Sequence, residues 1–307
     1  MTTSAQHGNC GGKGGGIRAA ALSTAMAMAA AASLHPAMAQ TYRFKTINIP
    51  GATQTSLYAG ARGTLLGWAY DSAGNPTCTI IQDKTYTPIS DPNGVQTYCY
   101  GIDNAGEVVG YYNKSDDSAV GFTYSNGSFS DFSLPDISGA LPSSISTNGV
   151  IAGYYYDQNN APWGFTLKGT TVSTFQISGA TNIFPVGVNK HGEMAIQELD
   201  TSGNVHCLAG TVSAQSELTV PGATETICHA INDDGKVAGT YLDSSGNIHG
   251  FTYDPSTSGY YTIDDPGMAA TGIHGITNSE TLLGYSEATS GGPMQGMKAK
   301  GSFPARR

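Results

Sequence analysis

Two glutamates are the nearest approach to acid–base chemistry in this sequence. Glu193 and Glu198 lie in one short segment, and a pair of carboxylates is the residue set that hydrolyses glycosidic bonds. The segment also departs from a pattern that recurs elsewhere in the chain, with Ile196 where the pattern has glycine. Divergence can mark a site, but sequence drift explains it too and is the interpretation we prefer. Glu193 and Glu198 are therefore catalytic candidates only if the protein is an enzyme.

Aromatic residues recur at one position of the same pattern and could bind sugars. The series is Trp68, Tyr111, Tyr154 and Tyr285. A large flat ring with a polar edge can stack on a saccharide, although packing of a core explains such a series as well and is preferred. These four residues, together with Asp200 and Asp243, are the candidate binding residues.

Acidic turns of the form Asp-x-x-Gly-Asn also recur. They begin at Asp71, Asp200 and Asp243. Oxygen-rich loops suit calcium, but each turn by itself has too few ligands, and aspartate commonly opens a turn. We therefore predict no cofactor, with calcium as the alternative.

These residues belong to a sequence repeat. Steps of 43 residues connect Gly67, Gly110, Gly153, Ile196 and Gly239, and a two-residue insertion precedes the next member, Gly284. A fixed period of this length indicates a repeat architecture. Within each repeat, four short runs alternate apolar and polar residues between turn signals, which predicts a four-stranded antiparallel meander. No helix signal appears after the first 39 residues.

Six repeats of four strands predict an all-β fold, a six-bladed β-propeller. The repeats lie near 53–93, 94–136, 137–179, 180–222, 223–267 and 268–301, within a domain at 40–301, and residues 302–307 form a tail. The last repeat contains three recognisable strands. The segment 42–49 matches the missing fourth strand, so we predict that an N-terminal strand closes the last blade.

The strand pattern also makes a prediction about pairs of glycines. Gly153 and Gly164, like Gly239 and Gly250, should face each other across the second hairpin of their repeats. An aromatic side chain from a neighbouring blade would then cover each pair, because glycine within a strand usually marks a close approach.

Four cysteines occur after residue 39 and define a disulfide pattern. Cys78 and Cys99 are separated by 21 residues, as are Cys207 and Cys228. Four cysteines allow three pairings, and a propeller excludes the two that would join distant blades. We predict Cys78–Cys99 and Cys207–Cys228, each joining adjacent blades. Free thiols and a metal site are the alternatives.

The N-terminal segment predicts export. Residues 1–39 contain Lys13 and Arg18, an alanine-rich apolar run and an Ala-x-Ala cleavage site that ends at Ala39, the features of a cleaved signal peptide. We expect a periplasmic or extracellular protein without a membrane span. The remaining chain has 12 basic against 23 acidic residues, which argues against nucleic acid as a partner. We expect a monomer.

The whole pattern resembles the HAF-repeat extracellular proteins of bacteria. The resemblance rests on Ala230–Tyr241, on the turn that begins at Asp243, on His249-Gly250-Phe251 and on Ile263–Gly267. It implies an exported repeat protein and no particular activity. We expect a non-enzymatic binding or scaffolding propeller whose ligand is a glycan or a surface protein. The alternatives are a polysaccharide-acting enzyme and a structural envelope protein without a specific ligand.

Overall fold

The computed structural model describes residues 41–302, and all regular elements there are β-strands. The predicted signal peptide and residues 303–307 lie outside the described residues. In chain order the strands are β1 (Thr41–Thr46), β2 (Gln54–Ala61), β3 (Thr64–Tyr70), β4 (Pro76–Gln82), β5 (Thr85–Ile89), β6 (Gln96–Ile102), β7 (Val108–Asn113), β8 (Ala119–Ser125), β9 (Ser128–Asp131), β10 (Leu141–Ile145), β11 (Ile151–Tyr156), β12 (Pro162–Lys168), β13 (Thr171–Phe175), β14 (Asn182–Val188), β15 (Met194–Leu199), β16 (Val205–Thr211), β17 (Ala214–Leu218), β18 (Glu225–Ile231), β19 (Val237–Leu242), β20 (Ile248–Asp254), β21 (Gly259–Ile263), β22 (Ala270–Ile276), β23 (Thr281–Glu287) and β24 (Gln295–Ser302).

The strands form six four-stranded antiparallel sheets, which are the blades of a β-propeller. Blades 1 to 5 are β2–β5, β6–β9, β10–β13, β14–β17 and β18–β21, and blade 6 combines β22, β23 and β24 with β1. The first strands of neighbouring blades contact each other around the whole ring, including β22 with β2, so these strands line the axis. The predicted six-bladed propeller is confirmed. No helix that could cross a membrane occurs within residues 41–302.

Strand β1 closes the ring as predicted. It pairs with β24 in an antiparallel ladder from Thr41 opposite Ser302 to Thr46 opposite Met297. The chain therefore joins its two ends within one sheet, and β24 is not left as an open edge.

Six apolar clusters hold the blades together, one at each seam between neighbours. At the seam of blades 5 and 6, Tyr42 and Phe44 of β1 pack on this cluster. Because side chains alternate along a strand, Arg43 and Lys45 lie on the opposite side of β1, the side that faces blade 1.

The loops of the propeller lie on two opposite faces. We call one the rim face: it contains the turns between second and third strands and the connections between blades. Threonine hydroxyls of these connections donate hydrogen bonds to main-chain carbonyls of the turns, from Thr53 to Asp71 and from Thr181 to Asp200. We call the other the turn face, and it contains the first hairpin turns of the blades, at 62–63, 103–107, 146–150, 189–193, 232–236 and 277–280.

The prediction for the strand glycines was wrong by one residue. Gly239 lies opposite Phe251, not Gly250. The intervening turn has five residues and is closed by hydrogen bonds from Asp243 N to Asn247 O and from Gly246 N to Asp243 O, and this odd length shifts the pairing. At Gly239 the covering ring comes from the same blade, since a Cβ there would lie 2.8 Å from the Phe251 ring and would clash with the main-chain oxygen of Ile227. Gly250 is covered by Ile273 of the next blade and not by an aromatic ring.

Both predicted disulfides are confirmed. Cys78–Cys99 and Cys207–Cys228 have Cα–Cα distances of 5.8 and 5.2 Å, within the usual range. Each joins the third strand of one blade to the first strand of the next. The two bonds lie at seams half a ring apart, between blades 1 and 2 and between blades 4 and 5.

Candidate functional site

A one-residue bulge recurs in every strand that lines the axis. The ladder between first and second strands skips one residue at the same place in each blade. Such a bulge turns a side chain out of the regular alternation. The six skipped residues are Tyr58, Tyr100, Ser143, Val186, His229 and His274. They surround the axis, since the rings of His229 and His274 are 4.8 Å apart and those of His274 and Tyr58 are 4.5 Å apart.

The predicted aromatic series lies beside these bulges. Trp68 stacks on Tyr58 at 4.1 Å, and Tyr111 stacks on Tyr100 at 5.7 Å. Tyr285 lies 5.3 Å from His274. The structure thus brings three of the four predicted rings into one group, and the fourth, Tyr154, contacts Phe184 of the next blade. We call the following residues the axial aromatic cluster: Tyr58, Trp68, Tyr98, Tyr100, Tyr111, His274 and Tyr285.

The cluster reaches toward the rim face through Tyr98. This residue lies near the start of β6, and its ring contacts Trp68 at 5.6 Å and Tyr111 at 5.0 Å. Its hydroxyl donates a hydrogen bond to Gln96, whose amide reaches Asn75 in a turn of the rim face. Trp68 is deeply buried, with 7% of its surface exposed, so it supports the cluster, while the partly exposed Tyr98 and Tyr111 can meet a ligand.

Blades 4 and 5 have polar residues at the position that carries the aromatic series in the other blades. Gln197 donates a hydrogen bond to the carbonyl of Cys228, as Trp68 does to the carbonyl of Cys99. His229 contacts the Thr240 hydroxyl at 3.0 Å. The axial aromatic cluster therefore lies on the side of blades 6, 1 and 2, whereas Gln197, His229 and Thr240 of blades 4 and 5 are polar.

Burial raises the pKa of tyrosines in the cluster. It raises the pKa of Tyr58 and of Tyr100 well above the usual value of a phenol. It also raises the pKa of Tyr285 to about 12. These hydroxyls remain protonated at neutral pH and offer hydrogen bonds without charge.

The acidic turns of the rim face use their carboxylates internally. In the Asp200 turn, Oδ1 accepts hydrogen bonds from the main-chain N–H groups of Ser202 and Asn204, and Oδ2 accepts from the Asn204 side chain. The hydrogen bonds from Asn204 hold the pKa of Asp200 at about 2, and Asn247 does the same for Asp243. Within residues 41–302 no group of three or more acidic, histidine or cysteine side chains is arranged to hold a metal ion.

Two histidines extend these turns. His206 contacts Glu217 at 2.8 Å, and this hydrogen bond raises its pKa above the usual value against an opposing effect of burial. Burial lowers the pKa of His249, but contacts with Asp264 and Asp243 outweigh it, so that the pKa of His249 is raised. Both histidines therefore bind protons more tightly in the folded state.

These shifts predict a dependence of stability on pH. A raised folded pKa contributes stability that is complete below the unfolded value of about 6.5 and is lost as pH rises through the folded pKa. Replacing both histidines, H206N/H249N, should therefore flatten the decline of unfolding free energy between pH 6 and pH 8. Urea titrations at several pH values measure this, and an equal decline in both proteins would contradict it. The effect should be small because surface ion pairs contribute at most about 1 kcal/mol.

The structure does not bring Glu193 and Glu198 together. Glu193 directly precedes β15 and Glu198 lies near the far end of that strand, about 17 Å apart by the rise of a strand, whereas glycosidase carboxylates are about 5 to 9.5 Å apart. Glu193 accepts a hydrogen bond from Asn189 on the turn face. Glu198 is buried on the rim side, where burial raises its pKa. The divergent Ile196 is fully buried opposite Leu208. In blades 2, 3 and 5 the position of Leu208 is occupied by a phenylalanine: Phe122, Phe165 and Phe251.

The bulge residues are the part of the site that sequence reasoning largely missed. The sequence shows that His229 and His274 occupy the same position of the first strand in adjacent repeats. It does not show that Tyr58 and Tyr100 occupy the bulge position of their own first strands. Steps of 43 residues back from His229 lead to Val186, Ser143 and Tyr100. The 43-residue period therefore indicated which residues are equivalent, but it is the bulge that points their side chains toward the axis.

No protein-family model and no curated protein matches the chain. Solved propellers resemble it in fold. A putative TolB from Agrobacterium tumefaciens has a TM-score of 0.56 at 9% identity and covers 87% of this chain and 99% of its own. TolB from Acinetobacter baumannii has a TM-score of 0.53 at 12% identity, covering 78% of this chain, which spans 64% of that structure. The SapL1 lectin in complex with alpha methyl fucoside has a TM-score of 0.50 at 11% identity, and the match covers 82% of this chain and 94% of the lectin chain.

Proposed function

We propose that this protein is an exported, non-enzymatic binding propeller of the HAF-repeat type, and that its ligand is a glycan held by the axial aromatic cluster. The observation that carries the proposal is the convergence of rings from blades 6, 1 and 2 on one side of the axis, with the partly exposed Tyr98 at the end toward the rim face. Saccharides present apolar faces of C–H groups and polar edges, and neutral tyrosines match both.

Export is supported by three features of the chain. The first 39 residues have the composition of a signal peptide. Two disulfides join neighbouring blades, and such bonds persist in oxidising compartments. The resemblance to HAF-repeat proteins points to the same location. The similarity to a lectin propeller is compatible with sugar binding, although at 11% identity it describes the fold alone.

Glycan binding is tested with the protein produced in an oxidising compartment. A glycan array identifies the saccharide, and calorimetry measures its affinity for variants of Tyr98. Tyr98→Ala should weaken binding about tenfold, since stacking of a sugar on a partly exposed ring contributes about 1.4 kcal/mol. Tyr98→Phe keeps the ring and should keep most of the affinity.

Tyr124→Ala provides the matched control. Tyr124 lies in the same blade but packs against Phe129, away from the axis, so its loss should leave binding unchanged. Equal losses for Tyr98→Ala and Tyr124→Ala would contradict the proposed site. A protein that binds no glycan but captures a surface protein through Tyr98 would replace the proposed ligand class. Absence of any ligand would favour a structural envelope protein.

A second candidate function rests on the side chains around Glu198. This buried glutamate with a raised pKa lies opposite His206 in the ladder, and His206 also contacts Glu217 and Asp200. A raised carboxyl pKa suits a general acid. Every glycan that binds should therefore be incubated with the protein and analysed for cleavage. Turnover that Glu198→Gln abolishes would make the protein an enzyme.

A further inference from the structure

Basic side chains gather at the seam of blades 6 and 1, although the chain has a net charge of −9. Ten lysines and arginines occur within residues 41–302, and half of them lie at this seam. We call them the seam cations: Arg43 and Lys45 on β1, Lys298 and Lys300 on β24, and Arg62 in the first turn of blade 1.

The sheet register places four of these cations in like-charged pairs. Arg43 lies directly opposite Lys300, and Lys45 directly opposite Lys298. Residues that face each other across two strands share one side of the sheet, and like charges in that arrangement destabilise it. Within residues 41–302 no carboxylate lies within ion-pair distance of any seam cation. The folded protein therefore keeps an unbalanced row of positive charge.

A cavity of about 440 Å³ opens beside this row on the turn face. It lies beside the first hairpin turn of blade 1, which has only two residues, Arg62 and Gly63. Both residues have positive φ, 47° and 89°. The corresponding turns of the other blades have four or five residues. The volume lies within the range of sites for small ligands.

The chemistry of the cavity lining selects an anion that also carries hydroxyl groups. Arg62, Lys298 and Lys300 are its charged residues, and no acidic or aromatic residue lines it. The other polar side chains of the lining are hydroxyls and amides: Thr64, Asn104, Thr147, Thr277, Asn278, Ser279 and Thr281. The nearby Asp233 does not line the cavity. Its carboxylate accepts hydrogen bonds from the side chains of Thr147 and Asn278 and forms an ion pair with Lys190.

We propose that this cavity binds the carboxylate or sulfate group of an acidic saccharide, with Arg62, Lys298 and Lys300 holding the anion and the hydroxyl and amide side chains holding the sugar. Arg43 and Lys45 continue the positive row along the same side of the sheet, so a chain of several acidic sugars can extend from the cavity. Nucleic acid fits less well, because the lining has no ring on which a base could stack and the protein as a whole is acidic. This site is on the opposite face from the axial aromatic cluster and does not depend on it.

The test measures calorimetric binding of three oligosaccharides of equal length: a uronate oligomer, a sulfated oligomer and a neutral oligomer. We expect one or both acidic probes to bind, the neutral probe to fail, and affinity to fall as salt rises because salt screens exposed charges. K298Q/K300Q should weaken binding about tenfold or more for each cation removed. R62N, which suits a left-handed turn position, should act in the same direction.

K114Q/K168Q is the matched control, because it removes two exposed lysines elsewhere and changes the net charge equally. It should leave the affinity nearly unchanged. Melting temperature without ligand gives an independent readout: K298Q/K300Q should melt no lower than the parent, because it removes like-charged pairs, and acidic probes should raise the melting temperature of the parent more than that of the variant.

Three outcomes would overturn the proposal: no binding of either acidic probe, equal losses in K298Q/K300Q and K114Q/K168Q, or loss in Tyr98→Ala with none in K298Q/K300Q. The last result would assign the saccharide to the axial aromatic cluster instead. If Tyr98→Ala leaves binding of the acidic probes unchanged while K298Q/K300Q weakens it, the probes bind in the cavity and this inference stands. The proposed function is tested separately, by whether Tyr98→Ala weakens binding of the glycan that the array identifies.

Discussion

Deleting residues 41–46 should unfold this propeller or leave it aggregated. The deletion removes the whole ladder between β1 and β24, and it also removes Tyr42 and Phe44 from the core at the seam of blades 5 and 6. An exposed β24 would become a free edge that pairs with other chains. We expect a loss greater than about 5 kcal/mol, which equals or exceeds the low end of total domain stability. Urea unfolding and size-exclusion chromatography measure it.

A circular permutant separates loss of the strand from loss of its position in the chain. Thr41 lies opposite Ser302, so an Asn-Gly linker can join them as a tight hairpin. New termini would then lie in the connection at residues 50–51. The permutant keeps all four strands of blade 6 and should unfold within about 2 kcal/mol of the parent, since loops tolerate such cuts. A deletion protein as stable as the parent would show that β1 does not close the ring.

Removing the two disulfides should also lower the free energy of unfolding strongly. Each bond closes a segment with a sequence separation of 21 residues, and loops of this size are worth about 3 kcal/mol in the chain-entropy description. The bonds are half a ring apart and share no partners, so their losses should add to about 6 kcal/mol in the variant C78A/C99A/C207A/C228A. Urea unfolding of the two double variants and of the quadruple variant tests both size and additivity.

Tryptophan fluorescence provides a local control. Trp68 donates a hydrogen bond to the carbonyl of Cys99, and the chain has two tryptophans. In a W163F background the emission of Trp68 should change in C78A/C99A and stay constant in C207A/C228A. A reductant, which breaks both bonds, should reproduce the stability change of the quadruple variant. Loss of less than about 1 kcal/mol for both pairs would contradict a stabilising role.

Departures from the sequence repeat occur at both proposed sites. Gln197 and Thr240 replace aromatic residues in blades 4 and 5, while the seam cations occur at blades 6 and 1. The ring is thus regular in its backbone and irregular in its side chains. The departures at the axis and at the seam of blades 6 and 1 are the two places where we propose that ligands bind.

Much of the architecture could be predicted from the spacing of a few residues. The series through Gly239 determined the number of blades because each repeat must pair its strands locally. The segment at Tyr42 supplied the closing strand by the same pattern. The cysteine pairing followed because a ring permits bonds only between neighbouring blades.

The details of pairing could not be predicted to the residue. A five-residue turn moved Gly239 opposite Phe251, and a sequence pattern does not distinguish four residues in a turn from five. The bulges could not be predicted either. In the sequence Tyr58 and Tyr100 look like ordinary strand residues, and only the pairing of the strands shows that they have no partner in the ladder.

By itself, the sequence determined the repeating architecture: six units of four strands, an N-terminal closing strand, predicted at 42–49 and found at Thr41–Thr46, and the two disulfides. These follow from local hydrogen bonding and from the geometry of a closed ring. Only the tertiary structure decided which side chains meet. Bulges turn Tyr58 and His274 toward each other across the junction of the first and last blades, and closure places Arg43 beside Lys300. Residues so distant in the chain come together through the curvature of the ring, which no local pattern encodes.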